Sequence, residues 1–273
     1  MTEPFSPRRW VPEIHRNLTH IISSSPGIAC FDFDNTLIYN DFGEKLMEAV
    51  VTDGMPYLPD DLSPYFRNHS YWKEHRNHPS EEKAPLVWEE YTYHLKEFGI
   101  EAGYRWTSFL FQGMTKEEFY DFSQANWAKV SEQRTEDAVF PQPELLDLIA
   151  YLQAKNWVVY IVTASPEFGI AAISQHFSIP ESQVIGMKLA LTPDGRTLPK
   201  IIEPYTYGKG KVDAILSRIG SLPDLAFGDS FNDFPMLCSA KRKAVAMDKG
   251  NPEFVEACLK EGILIQPFLN HES

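Results

Sequence analysis

Short apolar runs of strand length recur along this chain with helix-length segments between them, and that spacing leaves few folds open. The runs are Ile28 to Phe33, Trp157 to Thr163, Gln183 to Met187, Leu225 to Gly228, Ala244 to Met247 and Ile263 to Gln266. They are rich in β-branched and aromatic residues. Strands apolar on both faces need helices on each side, which is the condition of a parallel sheet. Leu145, Leu146, Leu148, Ile149 and Leu152 form a helical stripe over Pro143 to Lys155, and Lys211 to Ile219 carries another. The expectation is an α/β fold: a Rossmann-like parallel sheet flanked by helices.

One long region breaks the pattern. Residues 40–138 hold no buried-strand run and are crowded with aromatics, among them Trp72, Trp88, Tyr91, Trp106, Phe109 and Trp127. We read them as a helical insert after the first strand, with residues 1–39 and 139–273 forming the core on either side of it. The Pro-rich stretches Pro56 to Pro64 and Pro141 to Pro143 are the expected boundary or hinge segments. At 273 residues the chain is long enough for such a core plus insert.

The chain carries 25 Lys and Arg against 38 Asp and Glu, a net charge of −13. With no basic cluster, that balance argues against nucleic acid as a partner. No apolar run approaches the roughly 20 residues that span a bilayer, so no membrane association is expected. The N-terminal residues lack the apolar centre of a secretory signal. Three scattered cysteines, Cys30, Cys238 and Cys258, suit reduced thiols better than a disulfide framework. Together these features predict a cytoplasmic protein.

Chemistry concentrates where strands end. The first run closes in Phe31-Asp32-Phe33-Asp34-Asn35-Thr36, and the fourth in Gly228-Asp229-Ser230-Phe231-Asn232-Asp233. In open α/β sheets ligands bind beyond the carboxyl ends of the strands, so both acid pairs fall at the expected site. Clustered carboxylates repel unless neutralised, and an all-oxygen donor set of this kind suits Mg²⁺. The second run ends in Val162-Thr163-Ala164-Ser165, which offers two hydroxyls, while Gly208-Lys209-Gly210-Lys211 opens a helix with ammonium groups and free N–H groups; both suit an anion. It is not a Walker loop, because Tyr205 stands where the first Gly would fall and Val212 follows Lys211.

In order and spacing these motifs resemble those of the haloacid dehalogenase superfamily phosphatases: DxDx(T/V), a Ser or Thr after the next core strand, a Lys, and GDxxxD. The insert matches the C1-type cap of the phosphoserine phosphatase-like branch, and Leu110 to Glu117 is similar to that branch's cap turn. A nearer similarity is to bacterial phosphorylcholine phosphatases. It rests on Trp106 before that turn, Glu203-Pro204-Tyr205 ahead of Gly210-Lys211, and Asp41, nine residues after Asp32. The resemblance implies Asp32 as nucleophile, Asp34 as acid–base residue, and Thr163, Ser165 and Lys211 as phosphate-binding groups. It also implies Mg²⁺ held by Asp32, the Asp34 carbonyl and Asp229, with Asp233 supporting the metal shell or Lys211. Lys211 is preferred over Lys209 because Ala214 and Ile215 fall at its helical neighbours.

The implied activity is hydrolysis of a small phosphomonoester through an aspartyl-phosphate. Phosphoserine phosphatase, phosphotransferase or mutase, and an inactive binding member stay open as alternatives. Dehalogenases have no acid at the position of Asp34. On the substrate side, Asp41, Glu44 and Trp106 are the expected contacts, and the cap aromatics suggest a cationic leaving group of the phosphorylcholine or phosphorylethanolamine kind. His69, His75 and His78 are expected to be solvated, and Glu81, Glu82, Glu89 and Glu90 to form a wet helical face.

Overall fold

The computed structural model describes residues 5–53, 57–132 and 137–268. Six strands form one parallel sheet: β1 (Ile28–Phe31), β2 (Val158–Pro166), β3 (Val184–Met187), β6 (Leu225–Gly228), β7 (Lys243–Asp248) and β8 (Leu264–Pro267). Between β3 and β6 the short strands β4 (Leu189–Leu191) and β5 (Thr197–Ile201) make an antiparallel hairpin outside that sheet. The six-stranded order is β3-β2-β1-β6-β7-β8. The chain winds outward from β1 in one direction and then in the other. The crevice at the C-terminal ends of β1 and β6 is therefore the switch point where α/β sheets bind ligands.

Register explains the sheet's two faces. Cys30 pairs with Ala226 and Phe31 with Phe227, and side chains alternate along each strand. Cys30, Val162, Ala226 and Ala246 pack on one face with residues of α9 (Lys209–Ile219), α10 (Phe234–Cys238) and α11 (Pro252–Lys260). Phe31, Ile161, Phe227 and Val245 join the larger core on the other face, where the Phe31 and Phe227 rings stack at 4.2 Å. That core includes α1 (Pro12–Ser24) and α7 (Pro143–Ala154), and reaches into the insert.

The insert is helical: α2 (Phe42–Thr52), α3 (His69–Lys73), α4 (Ser80–Phe98), α5 (Ile100–Thr107) and α6 (Lys116–Ser131). Its exit and return lie side by side. Ile38 bridges Pro141, the Tyr39 N–H donates to the Phe140 carbonyl, and the Gln142 side chain donates to the Thr36 carbonyl at 2.6 Å. The β4–β5 hairpin reaches the insert from the core: the backbones of Thr197 and the Gly113–Met114 turn exchange hydrogen bonds at 2.8 Å. A short helix, α8 (Glu167–Ala171), continues from β2.

Several local expectations are corrected. β1 stops at Phe31, and Phe33 belongs to the turn of residues Phe33–Leu37, in which Asn35 takes the left-handed φ of 57°. β2 begins one residue after Trp157 and runs on to Pro166, where its pairing with β3 shifts register. The stretch Pro56 to Pro64 is no boundary: Leu58 and Leu62 are buried inside the insert, and Pro56 lies outside the described residues. His75 is buried and donates from Nε2 to the Pro59 carbonyl at 2.9 Å, since its ring packs beside Trp72. Glu90 is likewise buried, paired with Arg67 at 3.1 Å. Among the described residues, no helix is long and apolar enough to cross a membrane.

Candidate active site

Asp32 is the first residue past β1, and its N–H still donates to the Phe227 carbonyl of β6 at 2.9 Å. That bond ties the carboxylate to the strand bearing the second acid pair. Two approaches in the surrounding backbone depend on glycine. A Cβ on Gly228 would stand 2.4 Å from the Asp233 Cβ, and one on Gly210 would stand 1.7 Å from the Tyr205 carbonyl oxygen. Both glycines let the turn bearing Asp233 and the first turn of α9 bearing Lys211 close on Asp32.

Lys211, in α9, joins the residues after β1 and β6. Its Nζ donates to Asp32 Oδ1 and to Asp233 Oδ1, each at 2.6 Å, and it is wholly buried. Burial alone would lower the lysine's pKa, but the Asp233 and Asp32 carboxylates outweigh it and raise it. Lys209 points away and pairs with Asp213 at the surface. Asp233 Oδ2 accepts from the backbone N–H groups of Asp229 and Ser230 and from the Ser230 hydroxyl, so its position is set from four directions.

One lysine does not balance the acids gathered here. Ligand atoms of Asp32, Asp229 and Asp233 lie within 4.8 Å of one another. Burial and the charge of Asp233 push Asp32 up to about 7, against the pull of Lys211. Burial, Asp233 and Asp32 likewise raise Asp229 well above its ordinary value, although Lys249 stands 3.5 Å from it. An all-oxygen cluster with excess negative charge fits a hard divalent cation.

Asp34 sits beside this cluster in a different setting. Its Oδ1 accepts from the Phe42 N–H at 2.7 Å, at the start of α2, and its Oδ2 accepts from the Ser165 hydroxyl at 2.6 Å. Burial, then the nearby Asp41, raises its pKa to about 7, while the Ser165 and backbone donors oppose the rise. Thr163 Oγ1 lies 3.5 Å from the same carboxylate oxygen and accepts from the Ser165 N–H.

Asp32, Asp34, Thr163, Ser165 and Asp229 line a cavity of about 220 Å³ between the strand ends and the insert, with the buried Lys211 and Asp233 behind the lining. Asp41 and Glu44 face it from α2. Asp41 caps that helix by accepting from the Glu44 N–H, and burial together with Glu44 pushes Asp41 up to about 7. Glu44 accepts from the Tyr91 hydroxyl at 3.3 Å, and burial raises its pKa too. Tyr91 and Tyr104 supply the aromatic wall, their rings nearly parallel at 6.5 Å.

Trp106 is placed differently from the sequence expectation. It lies outside the cavity lining, behind Tyr91, with its indole N–H donating to the Tyr65 carbonyl at 2.7 Å and its ring stacked on His94. Tyr91, Tyr104 and Lys249 are among the lining residues that sequence reasoning missed. Lys249 follows β7 directly, so the strand-end rule that found the acids could have found it. The tyrosines carry no such signal, because aromatic spacing in a helix does not say which face meets a cavity.

Comparison with known proteins adds the family. No curated protein sequence matches the chain. Among solved structures, a functionally unknown protein from Anaerococcus prevotii is 18% identical, with TM-score 0.72 and coverage of 97% of this chain and 94% of that one. A protein of unknown function from Bordetella pertussis is 18% identical, with TM-score 0.67, covering 90% of this chain and 100% of that one. A phosphoserine phosphohydrolase-like protein from Francisella tularensis is 16% identical, with TM-score 0.52 and coverage of 88% and 94%. These are likenesses of fold. The model of the haloacid dehalogenase-like hydrolases matches residues 29–238, which span the first acid pair, the hydroxyls, Lys211 and the second acid pair. On that match the chain belongs to the haloacid dehalogenase-like hydrolase family.

Proposed function

We propose that this protein is a Mg²⁺-dependent phosphomonoesterase that hydrolyses a small phosphorylated amino alcohol through an aspartyl-phosphate. The observation that carries the reading is a single buried lysine shared by Asp32 and Asp233, with Asp229 in reach of both and Asp34 held apart from them. Asp32 and Asp229, with the Asp34 carbonyl, would hold the metal, and Asp233 would support them. When bound, the cation would offset the charge that the nucleophile and the phosphoryl group bring together.

Asp32 is the nucleophile: its carboxylate oxygen bonds to phosphorus as the bond to the alcohol oxygen breaks. Lys211 and Thr163 steady the phosphoryl oxygens. Asp34 gives its proton to the departing oxygen and then takes one from the water that cleaves the aspartyl-phosphate. A halide needs no proton to leave, so this second acid favours an ester over a haloacid. Residues 40–138 act as a cap, closing the site from the insert side.

The cavity supports the substrate class. At about 220 Å³ it falls below the range that holds drug-sized ligands, which suits a small metabolite. Its insert side presents two carboxylates and two tyrosines. Lys249 is the one cation lining it among the described residues, and it is paired with Asp229. Arg105 is not available to a ligand carboxylate: it pairs with Glu101 and Glu203 and lies over the Tyr205 ring. A phosphoserine carboxylate therefore lacks a partner here, whereas an ammonium meets both charge and aromatic faces.

The test is phosphate release from phosphorylcholine, phosphorylethanolamine, phosphoserine, glycerol phosphate and p-nitrophenyl phosphate, with and without Mg²⁺, for wild type and Asp32→Asn. We expect Mg²⁺-dependent release that the variant loses, fastest with the two cationic esters. Release from none of the esters would overturn the phosphatase reading. Equal rates for cationic and neutral esters would overturn only the substrate class.

A further inference from the structure

The Ser165 hydroxyl, near the end of β2, is one of the two that the sequence assigns to phosphate, but its contacts point elsewhere. Its Oγ lies 2.6 Å from Asp34 Oδ2, the shortest contact that carboxylate makes among the described residues. The placement has a backbone cause. The pairing of β2 with β3 slips between Val162 and Pro166, and the N–H of Ser165 folds back to Thr163 Oγ1 at 3.0 Å. This local bend turns the Ser165 side chain across the strand ends toward β1.

The first turn of α2 is fitted to the same contact. Phe42 donates its N–H to the other oxygen of Asp34, and Gly43 offers a backbone N–H to the same carboxylate. A Cβ on Gly43 would stand 2.4 Å from Ser165 Oγ and 3.3 Å from Ser165 Cβ. Glycine at this position leaves the space that the serine hydroxyl fills. The carboxyl group of Asp34 is thus held on Oδ1 by the Phe42 N–H and on Oδ2 by Ser165, with Gly43 adding a further backbone N–H.

We propose that Ser165 is a positioning residue for acid–base catalysis, holding the Asp34 carboxyl group in line with the departing alcohol oxygen, and that Gly43 is conformed to admit it. The inference rests on the phosphomonoesterase reading above. In the first step the Asp34 proton passes to the alcohol oxygen as its bond to phosphorus breaks and the Asp32 oxygen bonds to phosphorus. In the second, a water proton passes to Asp34 while the water oxygen displaces Asp32. A hydroxyl suits both steps because it can donate to the ionised carboxylate or accept from the protonated one.

Leaving-group chemistry separates this role from phosphate binding. The kcat/KM value reports steps up to and including alcohol departure. An alkoxide must be protonated as it leaves, whereas p-nitrophenolate departs without help. The experiment compares kcat/KM for p-nitrophenyl phosphate with that for the best alkyl ester of the panel, in wild type, Ser165→Ala and Gly43→Ala. Ser165→Ala removes the hydroxyl, and Gly43→Ala keeps it but pushes it aside.

The expected result is a fall of about 10- to 100-fold for the alkyl ester in Ser165→Ala, the range for a hydrogen bond to a charged group, and less than about threefold for the aryl ester. Gly43→Ala should show the same split, and Ser165→Ala added to Asp34→Asn should cost nothing further. Equal losses for both esters would overturn the proposal in favour of phosphate binding or general distortion, and no loss for either would overturn it outright. A wild type inactive on every ester overturns the phosphatase reading, and this inference with it.

Discussion

Asp41 does two jobs that one substitution can separate. It caps α2 through its side chain and adds negative charge to the cavity. Asn caps a helix about as well as Asp, so Asp41→Asn keeps the cap and removes the charge. The preference for phosphorylcholine over glycerol phosphate, read as the ratio of their kcat/KM values, should fall about tenfold, the equivalent of about 1.4 kcal/mol. Lys211→Met acts on stability instead. It would leave Asp32 and Asp233 buried without their shared cation, and breaking a buried pair in this way costs about 3–5 kcal/mol. Urea unfolding at neutral pH measures the loss. The acids and Lys211 were readable in the sequence because each stands where an apolar run gives way or a helix opens. Tyr91 and Trp106 are alike in sequence, both aromatic and both helical. Only packing makes one a wall of the cavity and the other its backing.

Elements were legible in proportion to their length and apolar continuity. The runs behind β6 and β7 could be placed within a residue of their ends, whereas β4 spans only Leu189–Leu191 and is too short to stand out. The helix α1 precedes the first strand and carries no motif, so nothing drew it out of the sequence. His75 was read as solvated because its neighbours are polar, yet the chain folds it against Trp72. That burial has a pH consequence. Burial lowers the His75 pKa, with the nearby Lys83 and Arg76 charges adding to the effect and the Pro59 hydrogen bond opposing it. Below the ordinary value of 6.5 the unfolded chain takes up a proton that the folded chain resists, so stability falls as pH drops from there. Gln can still donate toward the Pro59 carbonyl but does not titrate. Urea midpoints taken from pH 7.5 down to 5.5, a range chosen about the histidine value, should therefore fall more steeply for wild type than for His75→Gln.

At the scale of the whole molecule, the charge excess at the strand ends would make a bound cation a structural element as well. Mg²⁺ that binds only the folded chain stabilises it by about 2.7 kcal/mol at a hundredfold excess over Kd. Thermal unfolding should shift upward with added Mg²⁺ in wild type, and the shift should vanish in Asp229→Asn, whatever the substrate. The parallel sheet was legible because its strands are apolar throughout, and the insert because it lacks such runs. How the insert leans over the sheet was not, since contacts such as Arg105 with Glu203 join residues far apart in sequence. The strand order carries one further consequence, for synthesis. Among the described residues β1, which leads to Asp32, pairs with β2 and β6 alone, and its first partner residue, Val158, lies beyond the whole insert. At ribosomal rates of about 5–20 residues per second, roughly ten seconds separate the making of β1 from the arrival of its first neighbour. Through that interval the strand that leads to Asp32 has two open edges, and α1, the insert and then α7 are the parts of the chain made before its first strand partner. A nascent chain holds Asp32 from the start and gains the site around it only near the end.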